Sequence, residues 1–218
     1  RYTRTTTTTT TYEFPQLPDA RWELVMEEVH NRVMQVLNGT YGIEIAPLEK
    51  ITSTTEYPNL FSTTEKNTKE SVQLVYKNTL RTDPQGLFEM FAKLSSNPTS
   101  DVPVVNMMKE ADVDGLISMS LTYQVGGDKQ GKLILIPRLK VSITGRDENN
   151  NNKQGIYFTG LFTTPGANYN MEAVKTSDTA LLNACSVNEL LAAFENGLSI
   201  MKSKEAELGY DAIYAIGQ

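Results

Sequence analysis

The chain of 218 residues contains one cysteine, Cys185, and one histidine, His30. A single cysteine excludes a disulfide within the chain and a cysteine-rich metal site, and a single histidine excludes a metal site with two histidine ligands. A catalytic thiol or serine needs a base, and among histidines only His30 could serve as one. We therefore predict that Cys185 is a small buried residue beside a helix start and that His30 is a partly buried packing residue.

Long apolar runs and dense positive charge are also missing. No stretch reaches the roughly 18 consecutive apolar residues that indicate a transmembrane helix. The net charge is −6, and apolar residues 133–136 interrupt the densest basic stretch, which comprises Lys129, Lys132, Arg138 and Lys140. Because such a chain repels phosphate backbones, we expect no nucleic-acid partner.

The composition that is present is that of a globular domain, with 39% hydrophobic and 21% charged residues. Without an internal repeat or an obvious linker, we expect a single α/β domain over residues 1–218. Seven consecutive threonines, Thr5 to Thr11, precede Tyr12 and Phe14. Since β-branched and aromatic residues favour strands, we predict an edge strand over residues 4–14. The alternatives are an edge that pairs with a partner protein and an O-glycosylated segment.

The first half of the chain begins with the clearest helical pattern. Apolar residues at steps of three and four predict a helix that starts at Asp19, its N-cap, and ends at Gly39; they are Trp22, Val25, Met26, Val29, Val33, Val36 and Leu37. Alternating apolar residues then predict a strand over residues 41–51, interrupted by Pro47. Residues 52–70 are mostly polar, and we predict a long mobile loop there. Further along we predict a strand at 71–77, a helix opened by Pro84 and a short helix near 104–111.

The second half of the chain predicts an antiparallel meander of three strands. Apolar and polar residues alternate over residues 113–125, 133–143 and 156–162, and turns are expected at 126–128 and 147–153. A C-terminal helix follows over Ser186 to Leu208, with Ser186 and Glu189 at capping-box spacing and Gly209 after its end. A short strand is predicted within residues 210–216. The fold class is therefore α+β, or an α/β sandwich, with a mostly antiparallel sheet and helices packed on one face.

Two short motifs come close to ligand-binding patterns. Residues Gly126 to Lys132 match the first seven positions of a phosphate-binding loop, but Leu133 stands where Ser or Thr should hold Mg²⁺, and a strand pattern follows instead of a helix. We therefore predict a hairpin turn. Residues Asp112 to Gly115 begin like a calcium loop whose later ligands are missing, and we predict a helix-to-strand junction there.

Adjacent carboxylates occur as Glu27 with Glu28, Asp147 with Glu148, and Glu205 near Glu207. Acid–base hydrolysis needs two carboxyl groups that face each other across a cleft, and we interpret these pairs as solvated surface groups. The sequence thus predicts no catalytic, cofactor-binding or metal-binding residue, and no cofactor.

The stretch from Ala111 to Ser118, which introduces the meander and the long C-terminal helix, resembles the α/β domain of bacterial envelope lipoproteins related to the curli-secretion lipoprotein and the penicillin-binding-protein activator lipoproteins. In that family a sequence motif of this kind marks the strand that follows a helix. The resemblance implies a protein that binds partners or forms assemblies, without catalytic residues. It also implies a lipid-bearing cysteine upstream of Arg1 and a location in the periplasm or at the outer membrane.

Our leading hypothesis is a non-enzymatic, envelope-associated binding or assembly module that acts through its surface and strand edges. Its partner would be another envelope protein or a second copy, with the membrane reached only through the lipid anchor. The alternatives are a carboxylate-dependent hydrolase or small-ligand-binding protein with a cleft under loop 52–70, and a structural surface protein decorated on its threonines.

Overall fold

The computed structural model describes residues 15–60, 102–147, 150–208 and 215–217. These residues form an α+β fold in which helices pack against a mostly antiparallel sheet, which confirms the predicted fold class. Four predicted features lie outside the described residues: the edge strand 4–14, residues 61–70 of the loop, the strand 71–77 and the helix that begins at Pro84.

The helices and strands alternate in blocks along the chain. The helices are α1 (Asp19–Tyr41), α2 (Leu48–Thr52), a 3-10 helix (Tyr57–Leu60), α3 (Val102–Glu110), α4 (Met171–Thr176), α5 (Asp178–Ala184) and α6 (Val187–Leu208). The strands are β1 (Gly115–Gly127), β2 (Leu133–Asp147), β3 (Asn150–Thr163), β4 (Ala167–Asn168) and β5 (Ala215–Gly217). The predicted short helix near 104–111 and the short C-terminal strand are both present, the latter at 215–217.

Strand β2 lies in the middle of the meander. β1 pairs antiparallel with it over Gly115 to Gly127, and β3 and β4 pair antiparallel with its other side. β5 pairs parallel with β3. The predicted turn over 147–153 was too long, because Asp147 belongs to β2 and residues 150–153 belong to β3. Ladder hydrogen bonds come from the backbone, so the polar asparagines continue the strand.

The main core lies between one face of the sheet and helices α1, α4, α5 and α6. Its buried residues are Leu17, Trp22, Val25, Val29, Val33, Leu37, Leu135, Leu139, Val141, Ile143, Phe158, Phe162, Val174, Leu181, Ala184, Cys185, Val187, Leu190, Leu191, Phe194, Leu198 and Met201. The apolar stripes that predicted α1, the meander and α6 therefore meet in one cluster.

Two glycines let α6 approach β3 closely. A Cβ atom at Gly197 would lie 2.6 Å from the Phe162 ring, and one at Gly160 would lie 2.7 Å from the rings of Phe158 and Phe162. The Phe162 ring itself packs edge-on against Phe194, with centroids 5.2 Å apart. These contacts show how tightly the β3 side of the sheet is covered.

Helix α3 forms a second, smaller cluster. Val104, Val105 and Met108 pack with Val113 and Leu116. Leu116 precedes the core-facing Ile117, and successive strand residues point to opposite faces, so α3 lies on the face opposite the other helices. The expectation of helices on one face thus holds for α1, α4, α5 and α6, and α3 adds cover on the second face.

The ends of α1 differ from the prediction. The N-cap is Pro18, and Asp19 is the first helical residue, where its carboxylate favourably meets the helix dipole. Gly39 remains inside the helix, and the helix ends at Gly42, whose φ of 67° is left-handed and whose N–H donates to the Asn38 carbonyl oxygen at 2.7 Å. Glycine adopts this conformation without steric cost, so it sets the end of the helix.

The predicted strand over residues 41–51 was wrong. Tyr41 belongs to α1, residues 42–47 have no regular structure, and α2 begins at Leu48. Pro47 precedes α2 with a φ of −55° and leaves no N–H to satisfy, which suits a helix start better than a strand. Without a neighbouring strand, the alternation of Ile43 and Ile45 is not enough to form a ladder.

The start of α6 also differs from the prediction. The helix begins at Val187, and Ser186 before it is buried with a φ of 48°. Its carbonyl oxygen accepts the N–H of Leu190 at 2.9 Å. A capping-box serine normally has extended backbone, so this left-handed residue does not have the predicted capping conformation. Gly209, the predicted stop, lies outside the described residues.

Candidate strand-binding edge

Strand β1 is paired along one side only in the part of the chain that the structure describes. All thirteen of its residues pair with β2, and no described strand pairs with its other side. Every second residue of an antiparallel strand directs its N–H and C=O away from the first partner. β1 therefore presents a row of backbone donors and acceptors, which we call the outer edge of β1.

The sequence of β1, GLISMSLTYQVGG, contains no charged residue and no proline. Its pairing with β2 runs from Gly115 to Gly127 without a register shift, whereas the β2–β3 pairing is shifted in two places. Soluble proteins normally protect exposed edges with lysine, proline or bulges, because a bare edge recruits other strands. The outer edge of β1 has none of these three devices.

The two faces of β1 differ in polarity. Ile117, Met119, Leu121, Tyr123 and Val125 pack against the main core as partly buried residues. The opposite face carries Ser118, Ser120, Thr122 and Gln124, of which Thr122 and Gln124 are exposed. An added strand would meet this pattern of apolar and polar side chains, which selects its register.

Tyr123 anchors β1 to the helices. Its ring lies 6.1 Å from that of Trp22 on α1, and its hydroxyl donates to the backbone oxygen of Cys185 at 3.4 Å. Burial is the main cause that raises the pKa of Tyr123 well above its ordinary value, and Cys185 adds to it. The hydroxyl therefore stays protonated as a donor at neutral pH, and these contacts hold β1 against α1 and the Cys185 backbone.

The start of β1 is acidic. Asp112 has a φ of 52° after the end of α3, and Arg146 of β2 lies 3.2 Å from the Asp114 carboxylate. The N–H of Arg146 also donates to the Asp114 carbonyl oxygen at 3.3 Å. The predicted helix-to-strand junction is confirmed, and the Arg146 contacts fix the Asp114 carboxylate at the start of β1.

The other end of β1 is the hairpin turn predicted for Gly126 to Lys132. Asp128 accepts hydrogen bonds from the backbone N–H groups of Gln130 and Lys132, both at 2.8 Å, and Gly131 has a φ of 77°. The hydrogen bond from Lys132 is the largest cause that lowers the pKa of Asp128. The turn amides that could cradle a phosphate are thus committed to Asp128, which confirms the hairpin.

Cys185 and His30 have the packing positions that we predicted. Cys185 is 0% exposed, and burial raises the pKa of its thiol to about 12. Such a thiol is almost entirely protonated at neutral pH, so it is a poor nucleophile. His30 is half-buried on α1, with its Nδ1 3.3 Å from the Asn31 side-chain oxygen.

Glu148 and the side chain of Asp147 lie outside the described residues, and three of the other predicted carboxylates take part in local contacts on the surface. Glu28 pairs with Arg32 at 3.8 Å, Glu205 accepts the Tyr157 hydroxyl at 2.8 Å, and Glu207 accepts from Lys204 at 2.8 Å. The Lys204 contact lowers the pKa of Glu207. These contacts are those of solvated helix surfaces.

The described part of the predicted loop is held to α3. The Glu110 carboxylate accepts the N–H of Thr55 at 3.0 Å and its hydroxyl at 2.9 Å, and Tyr57 is buried nearby in the 3-10 helix. This carboxylate is therefore engaged in fixing residues 52–60. The cleft proposed under residues 52–70 stays a prediction, because residues 61–70 lie outside the described part.

Sequence reasoning considered partner pairing at residues 4–14 and did not single out β1 as a candidate edge. One signal could have revealed it: the thirteen residues between Asp114 and Asp128 include neither a charge nor a proline. Within the described ranges, no three or more acidic, histidine or cysteine side chains are grouped to hold a metal ion. Of the helices in those ranges, none combines the length and apolar character that crossing a bilayer requires.

Comparisons with models of protein families, with curated proteins and with solved structures found no match to this chain. The candidate edge therefore stands on its geometry and sequence.

Proposed function

We propose that this protein is a non-enzymatic binding or assembly module of a bacterial envelope, and that it accepts a partner strand at the outer edge of β1. The observation that carries the proposal is the regular, uncharged strand of thirteen residues paired only with β2 among the described strands. Strand addition of this kind derives its affinity from main-chain hydrogen bonds and its specificity from alternate side chains.

The energetics favour such a use of β1. Each backbone hydrogen bond to an added strand contributes about 0.5–1.5 kcal/mol net, and the contributions accumulate along the strand. The edge is already fixed by the pairing with β2 and by the contacts of Tyr123. Little ordering entropy is therefore lost on the receiving side when a strand binds.

The envelope location rests on the resemblance of residues Ala111 to Ser118 to envelope lipoproteins. Residues Ala111 to Ser118 run from just after the end of α3 into the start of β1. The resemblance implies such a position between a helix and a strand. The proposal includes a lipid anchor upstream of Arg1 and residence in the periplasm or at the outer membrane. A genomic leader that ends in a cysteine would support this location, and an initiator Met directly before Arg1 would contradict it.

Site-specific photo-crosslinking tests the proposed function. A benzophenone side chain replaces Thr122 on the exposed face of β1, and the matched control replaces the exposed Thr179 on α5. In cells of the native organism, we expect a crosslinked adduct at position 122 and little at position 179. Equal crosslinking at both positions, or none at position 122, would contradict the proposal.

A further inference from the structure

We infer that the strand received at the outer edge of β1 is β1 of a second copy of this chain, antiparallel and related by a two-fold axis at Thr122. This inference rests on the proposed function and names its partner. The two sheets would join into one continuous sheet, with the main-core helices of both copies on the same side.

The side-chain pattern of β1 is self-complementary. Residues directly opposite each other in an antiparallel pair point to the same face of the sheet. Two copies of β1 therefore place apolar residues opposite apolar ones, and polar opposite polar, when odd-numbered residues pair with odd-numbered ones. With Thr122 opposite itself, Leu121 lies opposite Tyr123 and Met119 lies opposite Val125 on the core face. On the polar face, Ser120 lies opposite Gln124.

These pairs are of favourable kinds. Threonine–threonine pairs stabilise antiparallel sheets. The two core-face pairs bring partly buried apolar side chains together and remove more of their surface from water. Because β1 contains no charged residue, two copies bring no like charges together within the paired strands.

The charges beyond the strand ends favour the antiparallel arrangement. The exposed Asp112 and Asp114 precede β1, and Arg146 pairs with Asp114, so this end keeps one acidic charge in excess. The exposed Lys129 and Lys132 follow β1 in the turn that also holds Asp128, so that end keeps one basic charge in excess. An antiparallel two-fold pair brings the acidic start of one copy to the basic turn of the other, at both ends of the joint. A parallel pair would bring acidic start to acidic start.

The size of the contact predicts a weak dimer. Residues 117–127 would pair over about 36 Å, at roughly 3.3 Å per residue. A strip of this length and about 10 Å thickness is smaller than the roughly 800 Å² per partner of a standard interface. We therefore expect association in the range of about 10 μM to 1 mM rather than a permanent dimer.

Sedimentation equilibrium of the full chain over that concentration range tests the inference. The wild type should shift from the monomer mass of 24.3 kDa towards twice that mass. Thr122→Lys places two lysines opposite each other at the axis and should weaken the association about tenfold or more. Thr179→Lys, which adds the same charge on α5, should associate like the wild type, and circular dichroism checks that each variant is folded.

Exchanging the charges at the two ends of the joint tests the same association without changing a residue of β1. Lys129→Glu puts acidic groups at both ends of the joint and should weaken the association severalfold. The double variant Asp112→Lys with Lys129→Glu should restore it. Failure of the double variant to recover would overturn the two-fold arrangement.

The outcomes separate the inference from the proposed function. A wild type that stays monomeric over the whole range, or a Thr122→Lys variant that dimerises like the wild type, overturns the second-copy inference. If the crosslink at position 122 then identifies a different protein, the proposed function stands without it. If the wild type dimerises and both Thr122→Lys and Lys129→Glu dissociate it, the inference is supported.

Discussion

The two sides of β2 receive very different partners. Leu139, at the centre of β2, lies opposite Phe162 of β3 on one side and Leu121 of β1 on the other. Phe162 is 1% exposed and packs against α6, whereas Leu121 is only partly buried. The β3 side is closed by tight packing, and the β1 side is regular and left open at its edge among the described strands. The proposed function therefore places the stabilising contacts and the binding edge on opposite sides of one central strand.

A proline and two register shifts in the β2–β3 pairing mark the closed side. β2 contains Pro137, which has no N–H for a ladder, and the Thr163 hydroxyl at the end of β3 donates to the Pro137 carbonyl oxygen at 2.7 Å. β3 then leaves β2, and β4 pairs with β2 further along at Ile134 and Leu135. Such irregularities terminate pairing. The β1–β2 pairing has no register shift over its thirteen pairs, one of which joins Tyr123 to Pro137.

The largest expected effect tests the closed side. Phe162→Ala removes a ring that contacts Phe158 and Phe194 and should lower the free energy of unfolding by about 3–5 kcal/mol. The matched control is the neighbouring Leu161→Ala, because Leu161 is 47% exposed and should change stability by less than about 1 kcal/mol. Urea denaturation measures both, and similar losses would show that β3 is not packed as described.

The second effect concerns the anchoring of β1 near Cys185. The folded pKa of about 12 exceeds the ordinary value of 9.0, so ionisation of the thiol favours the unfolded chain. The buried, protonated thiol of Cys185 therefore makes its full contribution to the free energy of unfolding below pH 9. This contribution is lost as the pH rises from 9 towards 12, at up to about 1.4 kcal/mol per pH unit. Urea denaturation at pH 8 and pH 10 should show a smaller loss for Cys185→Ala than for the wild type. Equal losses in the wild type and in Cys185→Ala would contradict the burial of a protonated thiol at this position.

The smallest effect compares threonines on the two sides of β2. Thr163→Val removes the hydroxyl that donates to Pro137 and leaves that carbonyl without this bond, so we expect a loss of about 1 kcal/mol in the free energy of unfolding. Thr122→Val, on the exposed face of β1, should change it by less than about 0.5 kcal/mol. Thermal denaturation measures the loss of stability in both variants. A larger loss for Thr122→Val than for Thr163→Val would contradict the difference between the two sides of β2.

Periodicity predicted the elements whose apolar faces are buried. The stripe from Trp22 to Leu37 and the alternation in residues 113–125 correspond to α1 and β1 because each is buried on one side. Boundaries were less predictable, since the chain offers both Gly39 and Gly42 as helix stops and only the tertiary structure selects Gly42. The false strand at 41–51 shows that alternation without a pairing partner does not form a strand.

The candidate site was harder to predict than the fold. Whether a strand lies at an edge depends on which strands flank it, and that is a property of the assembled sheet. The seven threonines drew attention to residues 4–14, whose strand prediction lies outside the described residues. The lack of charge in β1 was visible in the sequence, but its meaning depended on the position of β1 beside β2.

Backbone amide exchange along β1, followed by NMR, tests the central claim most directly. In dilute protein, the amides that bond to β2 should exchange slowly and the alternate amides at the outer edge should exchange fast. When the partner strand binds, the fast amides should become slow while those of α6 stay unchanged. Slow exchange at every β1 amide in the dilute monomer, or fast outer amides that persist in the bound state, would contradict strand addition at β1.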